Sequence, residues 1–218
     1  MRTIILAAGQ GFQLDGCVKL LIRDPQSGNR IIDQYIKLFK RSNLTVVVGY
    51  KAIEIIQRYP DLTYVYNSEW KITNNSYSLG LALNGDPCYV LSSDLFVSQE
   101  TIKILKDAKP NCILTENKEN RELNSLNCMI KNDNQIAEIY QGPRRNIQDP
   151  EAIGIYKISD KNILESWKIN CLRYGNLFAG QNLRFDLSFV YSVDKGSYAF
   201  NEINTVYDYI NLIERYNK

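Results

Sequence analysis

Apolar residues recur along this chain in two alternating rhythms. The runs Thr3-Ile4-Ile5-Leu6, Thr45-Val46-Val47-Val48, Leu62–Tyr66 and Cys88–Leu91 are short and rich in β-branched side chains. Continuous runs of this kind predict buried parallel strands. Between them lie segments whose pattern predicts helices over 31–40, 52–59, 77–83 and 99–108. Ile32, Ile36 and Phe39 share one helical face, and Ser98 is placed to cap the helix that starts at Gln99. Such alternation predicts an α/β chain: a Rossmann-like three-layer sandwich with a mostly parallel central sheet. Ligands in such sheets bind beyond the carboxyl ends of the strands.

After Pro110 the rhythm changes. Shorter apolar pieces at 111–115, 126–130, 136–140 and 153–158 are separated by polar turns, which predicts a small mixed β insertion or lid within about 116–190. Near the end, Thr205 and Asp208 have the spacing of a capping box. Tyr209, Ile210 and Ile213 then give the last helix a packing face.

Composition narrows the chemistry. With 218 residues, the chain has the length of one α/β domain over 1–218. A net charge of +2, from 26 basic and 24 acidic residues scattered along the chain, gives no field directed at nucleic acid. No apolar stretch approaches membrane-spanning length. The five cysteines, at 17, 88, 112, 128 and 171, form no C-x-x-C pair, so they are read as reduced and the setting as cytoplasmic. Histidine is absent, which excludes Ser-His-Asp and Cys-His catalysis and histidine-bound zinc or iron. Lysine, carboxylates, hydroxyls and an oxygen-bound hard metal remain, an inventory suited to phosphoryl and nucleotidyl transfer.

The first strand empties into Ala7-Ala8-Gly9-Gln10-Gly11, and Lys19 follows shortly after. Glycines let the main chain approach a ligand, and successive N–H groups in such a turn make an anion-binding nest. Two familiar phosphate motifs fit poorly. The dinucleotide fingerprint requires a third small residue where Leu14 stands, and the P-loop requires Lys-Ser/Thr where Cys17-Val18 stands. Asp94 follows the strand ending at Leu91 and should face the same crevice as the loop. Glu202, ahead of the capped terminal helix, is the second acid expected at a magnesium site, with phosphates and water completing the coordination.

Leu6-Ala7-Ala8-Gly9-x-Gly11 with Lys19-Leu20-Leu21 resembles the opening signature of the sugar-phosphate and choline-phosphate nucleotidyltransferase superfamily. Asn74-Asn75-Ser76-Tyr77-Ser78-Leu79, then Ser93-Asp94, then Glu202-Ile203-Asn204-Thr205-Val206-Tyr207-Asp208-Tyr209, resemble successive blocks of bacterial choline-phosphate and 2-aminoethylphosphonate cytidylyltransferases. The resemblance implies a nucleotide-diphospho-sugar transferase type of fold and transfer of CMP from CTP to a small phosphorylated or phosphonylated acceptor, with Mg2+ and release of pyrophosphate. It implies catalytic roles for Lys19 and Asp94, and metal binding by Asp94, Glu202 and Asn204. Leu6, Ala7, Ala8, Gly9, Gln10, Gly11, Gln13 and Ser93 would contact the nucleotide, with Asn74, Asn75 and Ser78 lining the nucleotide or acceptor pocket. The acceptor would meet Glu151, in a Glu-x-x-Gly block, and aromatic groups drawn from Trp70, Tyr77, Tyr140 and Tyr156, since an aromatic face attracts a quaternary ammonium. Asp186 is a weaker acid of the same sort, and Arg144-Arg145 reads as a solvated pair.

The chain departs from its relatives at three positions. Gln13 stands where they usually carry arginine, Val18 where they carry proline, and Asn204 where a metal-binding aspartate is common. A glutamine cannot supply the charged fork of arginine, and Arg2, Arg23 and Arg30 are the candidates to replace it. Two other readings stay open: a sugar-1-phosphate nucleotidyltransferase using another NTP, and a non-catalytic nucleotide-binding relative. A homodimer is compatible with all of them.

Overall fold

The computed structural model describes residues 1–119, 121, 125–198 and 200–216. Its first half alternates as the hydrophobic rhythm requires. The strands are β1 (Arg2–Ala7), β2 (Leu44–Val48), β3 (Thr63–Tyr66) and β4 (Cys88–Ser92), and the helices α1 (Ile31–Phe39), α2 (Ala52–Arg58), α3 (Asn75–Ala82) and, after the short β5 (Leu95–Val97), α4 (Gln99–Asp107). Ser98 caps α4 by accepting a hydrogen bond from the Thr101 N–H. The second half adds β6 (Cys112–Glu116), β7 (Leu126–Ile130), β8 (Ile136–Gln141), β9 (Glu151–Ile158), α5 (Lys161–Arg173), β10 (Tyr191–Asp194), β11 (Phe200–Glu202) and α6 (Val206–Tyr216).

The described residues form a nine-stranded sheet in the order β10-β6-β9-β4-β1-β2-β3, with β7 and β8 attached through β9, and a separate two-stranded ribbon of β11 and β5. Strands β4, β1, β2 and β3 are parallel to one another, β10 is parallel to β6, and β9 runs against both β4 and β6. The sheet separates two apolar layers, and β1 shows how. Ile5 and Ala7 face the cluster that holds α1, α2, α4 and α6, while Ile4, Leu6 and Ala8 face the one that holds α3 and α5. Alternation of side chains along a strand thus feeds both cores, which is why the run reads as continuously apolar.

Two features of the second half differ from the sequence expectation. Helix α5 was not anticipated, although Ile163, Leu164, Trp167 and Cys171 are fully buried at helical spacing and Asp160 caps its first turn through the Ile163 N–H. It packs closely on α3: a Cβ at Gly80 would lie 3.0 Å from the Leu172 nitrogen. Strand β9, expected as part of an added piece, lies inside the central sheet between β4 and β6. Of the span 116–190, the β7–β8 hairpin is the part that branches from that sheet. No helix of the described residues is long and apolar enough to cross a membrane. All five cysteines are free thiols.

Candidate active site

A cleft of about 650 Å³ opens at the carboxyl ends of β1 and β4. Its first wall is the glycine loop. Gly11 has φ +55°, and a Cβ there would lie 3.0 Å from the Cys17 carbonyl oxygen, so the turn demands glycine. At Gly9 a Cβ would meet no protein atom within 4 Å. The missing side chain therefore leaves room for a ligand rather than for a neighbouring segment. Beyond a single 3-10 turn at Phe12–Leu14 the chain returns at Lys19, whose ammonium re-enters the cleft.

The acids arrive by two different routes. Asp94 follows β4 directly, in the turn Ser92–Leu95, which is clamped from beneath by Tyr35 of α1. The fully buried Tyr35 hydroxyl lies 2.8 Å from the Ser92 carbonyl oxygen and 3.1 Å from that of Leu95. Burial, reinforced by the charge of Asp94, holds this phenol well above its ordinary pKa, so it remains a neutral donor. Glu202 comes from the end of the chain. Antiparallel pairing sets it opposite Leu95, and the Ile203 N–H donates to the Asp94 carbonyl oxygen at 2.9 Å.

Lys19 Nζ donates to Asp94 Oδ2 at 2.9 Å and to Asn204 Oδ1 at 2.8 Å. Asn204 is fixed by the helix start behind it: Asp208 Oδ2 accepts from the backbone N–H groups of Asn204 and Thr205, and Thr205 Oγ1 accepts from the Asp208 N–H. This is the capping box expected from the spacing. Glu202 is open to cleft water on one side, but protein crowds it on the others. That crowding, with the charge of Asp94 next and Glu151 adding to it, raises its pKa to about 7 against the opposing pull of Asn204 and Lys19.

The donor set fits a divalent cation held jointly with a polyphosphate. Asp94 Oδ1 is buried and has no hydrogen-bond partner. An unpaired carboxylate oxygen is costly to bury, and a cation would satisfy it. Among the described residues no group of three His, Cys, Asp or Glu side chains could hold an ion. Two carboxylates and an amide oxygen are the sparse set that magnesium uses when phosphates and water supply the rest.

A second part of the rim is neutral and polar. Asn67, which the sequence reading did not single out, is 1% exposed and donates to Thr73 Oγ1 and Ser78 Oγ. Asn74 Oδ1 accepts from the Asn75 N–H at the start of α3, and Asn75 Oδ1 accepts from the Ala179 N–H. These amides hold the rim in place with their oxygens. A charged wall of the cleft carries Glu151 with Lys118 and Arg121, two cations that sequence reasoning missed. Lys118 Nζ lies 2.9 Å from Glu116. Burial alone would lower its pKa, but the hydrogen bond to Glu116 and the charges of Glu116, Glu151 and Glu202 raise it instead. Arg121 bonds the buried Asn127 side chain, the Lys118 carbonyl and Asn117.

Of the residues expected at the site, Leu6, Ala8, Gly9, Gly11, Gln13, Lys19, Asn74, Asn75, Ser78, Ser93, Asp94, Glu151, Tyr156, Glu202 and Asn204 line this one cleft, with Trp70. Ala7, Gln10, Tyr77 and Tyr140 are not among its lining residues. The Tyr140 hydroxyl is used internally: it donates to Asp149 at 2.6 Å and accepts from the Arg145 N–H. Tyr77 packs against Gly175. Asp186 is exposed and paired with Arg184. None of the arginines considered as replacements at Gln13 reaches the cleft. Arg2 bonds the Ala82 carbonyl, and Arg23 and Arg30 line a different cavity behind the loop.

The chain shares its fold with solved nucleotidyltransferases over nearly its whole length. The CTP:phosphocholine cytidylyltransferase of Streptococcus pneumoniae superposes with a TM-score of 0.74 at 18% identity, covering 99% of this chain and 98% of that one. A putative glucose-1-phosphate thymidylyltransferase of Bacillus anthracis gives 0.75 at 16% identity, over 99% and 94%. The inositol-1-phosphate CTP transferase of T. maritima gives 0.71 at 17% identity, over 100% and 96%. No protein-family model matches the chain, and no curated protein matches it in sequence.

Proposed function

We propose that this protein is a cytidylyltransferase that moves CMP from CTP to a small phosphorylated or phosphonylated acceptor and releases pyrophosphate. One observation carries the reading. Lys19, delivered by the glycine loop, meets Asp94 and Asn204 beside Glu202 in a single cleft. Two acids and an amine around one space, beside a glycine turn open at Gly9, are the equipment for a metal-bound polyphosphate.

The reaction needs no enzyme nucleophile. An anionic oxygen of the acceptor attacks the α-phosphorus and forms the new P–O bond. The bond from that phosphorus to the bridging oxygen breaks, and pyrophosphate leaves with the electron pair. Lys19 and the loop amides hold the negative charge that departs, while the fixed frame of Tyr35, Asp94 and Asn204 keeps the donors in place before the reaction. Magnesium, held by Asp94 and Glu202 with Asn204, would neutralise charge on the α- and β-phosphates. Lys118 and Arg121, beside Glu151, supply positive charge for the phosphate or phosphonate group of the acceptor. Glu151 is suited to an acceptor that also carries an amine or quaternary ammonium, with Tyr156 and Trp70 as the aromatic groups near by.

Use of another NTP with a sugar 1-phosphate is the second reading. It is supported by the neutral rim of Asn67, Asn74 and Ser78, whose amides and hydroxyl place no charge that selects one base. Pyrophosphate release with each of the four NTPs against phosphocholine, 2-aminoethylphosphonate and glucose 1-phosphate separates the two. Turnover confined to CTP with either zwitterionic acceptor is the expected result. Nucleotide binding without pyrophosphate release in any combination would remove the catalytic reading altogether.

A further inference from the structure

Behind the glycine loop lies a second cavity, of about 490 Å³, which the transfer reaction does not use. Its floor is apolar: Leu14, Val18, Leu21 and Ile22 from the loop and the turn after it, and Val206 and Tyr209 from α6. Its rim is basic. Arg23, Arg30, Lys51 and Arg58 contribute four cations against one carboxylate, Glu54. That carboxylate does not neutralise them, because it stands 3.8 Å from Lys51 and 4.0 Å from Arg58, at the long limit of ion pairing and exposed to screening. The remaining partners of the cations are neutral. Arg23 donates to the Gly28 carbonyl at 2.6 Å, Arg30 to the Tyr59 hydroxyl at 3.5 Å, and Lys51 to the Gly16 carbonyl at 3.2 Å.

The place of this cavity matters as much as its lining. The loop that forms its wall presents Gly11, Gln13 and Lys19 to the cleft and Leu14, Cys17 and Val18 to the cavity. Helix α6, the other wall, begins just after Glu202 and Asn204. The Tyr209 hydroxyl ties it to the Arg23 carbonyl at 3.0 Å. The two chain segments that carry Lys19 and Glu202 are therefore backed by the same apolar space.

We infer that this cavity is a second binding site, for a small phosphate monoester with an apolar body, and that its occupancy stiffens the two segments that frame the cleft. An apolar floor of this size under convergent cations suits an anionic head on a hydrophobic stem: burial of the stem supplies affinity and the arginines fix the head. An inorganic anion would leave the floor wet, and a neutral alcohol would leave the cations unused. The inference is independent of which nucleotide or acceptor the cleft takes, because its test reads neither.

Cys17 provides the probe. It is the exposed cysteine, on the cavity wall, whereas Cys88, Cys112, Cys128 and Cys171 are buried. Maleimide labelling of the full chain is followed with hexyl phosphate, inorganic phosphate or hexanol present. Hexyl phosphate is expected to slow Cys17 labelling about tenfold at saturation, and the other two to leave it nearly unchanged. Arg58→Gln, an exposed position that leaves the fold intact, and separately Arg30→Gln should each weaken the hexyl phosphate effect severalfold. Hydrogen exchange should slow at 11–19 and at 202–209 when hexyl phosphate is added. Equal protection by hexanol, protection by phosphate alone, protection that survives both arginine variants, or exchange unchanged in those two segments would each overturn the inference.

Discussion

The two walls of the cleft are built on opposite principles. The glycine-loop wall is local: Gly9 and Gly11 follow β1, Asp94 follows β4, and each functional group sits a few residues past a parallel strand. The hairpin wall is assembled from a distance. Glu151 is placed by the pairing of β9 with β6 and β7, and Arg121 is held by Asn127, a buried residue of β7. Parallel strands deliver their ends to one edge of the sheet whatever their sequence separation, so a strand followed by a chemical group is already a prediction of place. Antiparallel additions give no such rule, because the register and the partner decide which side chains meet.

The sharpest way to break this contrast is Asp94→Ala. If the local wall holds the metal and the departing phosphates, turnover should fall about a thousandfold or more, equivalent to ~4 kcal/mol of transition-state stabilisation. The melting transition should stay cooperative, since Lys19 keeps Asn204 as a partner. Pyrophosphate release near the wild-type rate would remove Asp94 from the chemistry and with it the claim that this wall is the catalytic one.

Tyr35→Phe tests what holds that wall up. The ring still fills its space in the core, but the Ser92 and Leu95 carbonyls lose the hydroxyl between them. Leaving buried acceptors unsatisfied costs about 1–3 kcal/mol. Denaturant unfolding should register that loss, and turnover should fall because the turn carrying Asp94 loosens. Unchanged stability would mean that the clamp is redundant with the backbone pairing of β11.

How far the sequence could be read follows the same divide. The four strands and four helices expected before Pro110 form with boundaries shifted by a residue or two, as in helix 77–83 against the observed Asn75–Ala82, while the short β5 between the last two was not expected. Buried parallel strands and capped amphipathic helices signal locally. The Thr205–Asp208 box was legible for that reason, and so were Asp94 and Glu202 as candidates. Tyr35 was not, because a buried tyrosine on a helical face looks like any other core residue until its hydroxyl finds a partner far along the chain. Lys118 and Arg121 were hidden in a chain whose charges are scattered, since only the fold shows which cations turn towards the cleft. Helix α5 was missed although its buried positions keep helical spacing, because the short apolar pieces around it suggested more strands.

Lys118→Met sharpens the contrast from the other side. Glu116 would keep Lys195 at 3.1 Å, so the local ion cluster is not left with an unpaired acid. If the hairpin wall serves the acceptor, the acceptor KM should rise about tenfold, the scale of one charge-assisted hydrogen bond, with the NTP KM nearly unchanged. Equal increases in both would show that the two walls share one polyphosphate and that the division between them is false.

The smallest expected effect concerns the place where the walls meet. Glu202 feels Asp94 from the loop side and Glu151 from the hairpin side, and its folded-state pKa lies near 7 rather than at the ordinary 4.5. Between those values the folded, metal-free protein binds more protons at this group than the unfolded chain does. Its contribution to stability is therefore complete below about pH 4.5 and is lost as the pH rises through about 7. In chelator, the stability difference between wild type and Glu202→Gln should shift against the wild type over that interval and level off above it. Cleft water reaches Glu202 and screens part of the repulsion, so the slope is small and only the comparison with the variant isolates it. A difference that stayed flat, or ran the other way, would mean that the two acids do not feel each other and that the walls are electrostatically separate.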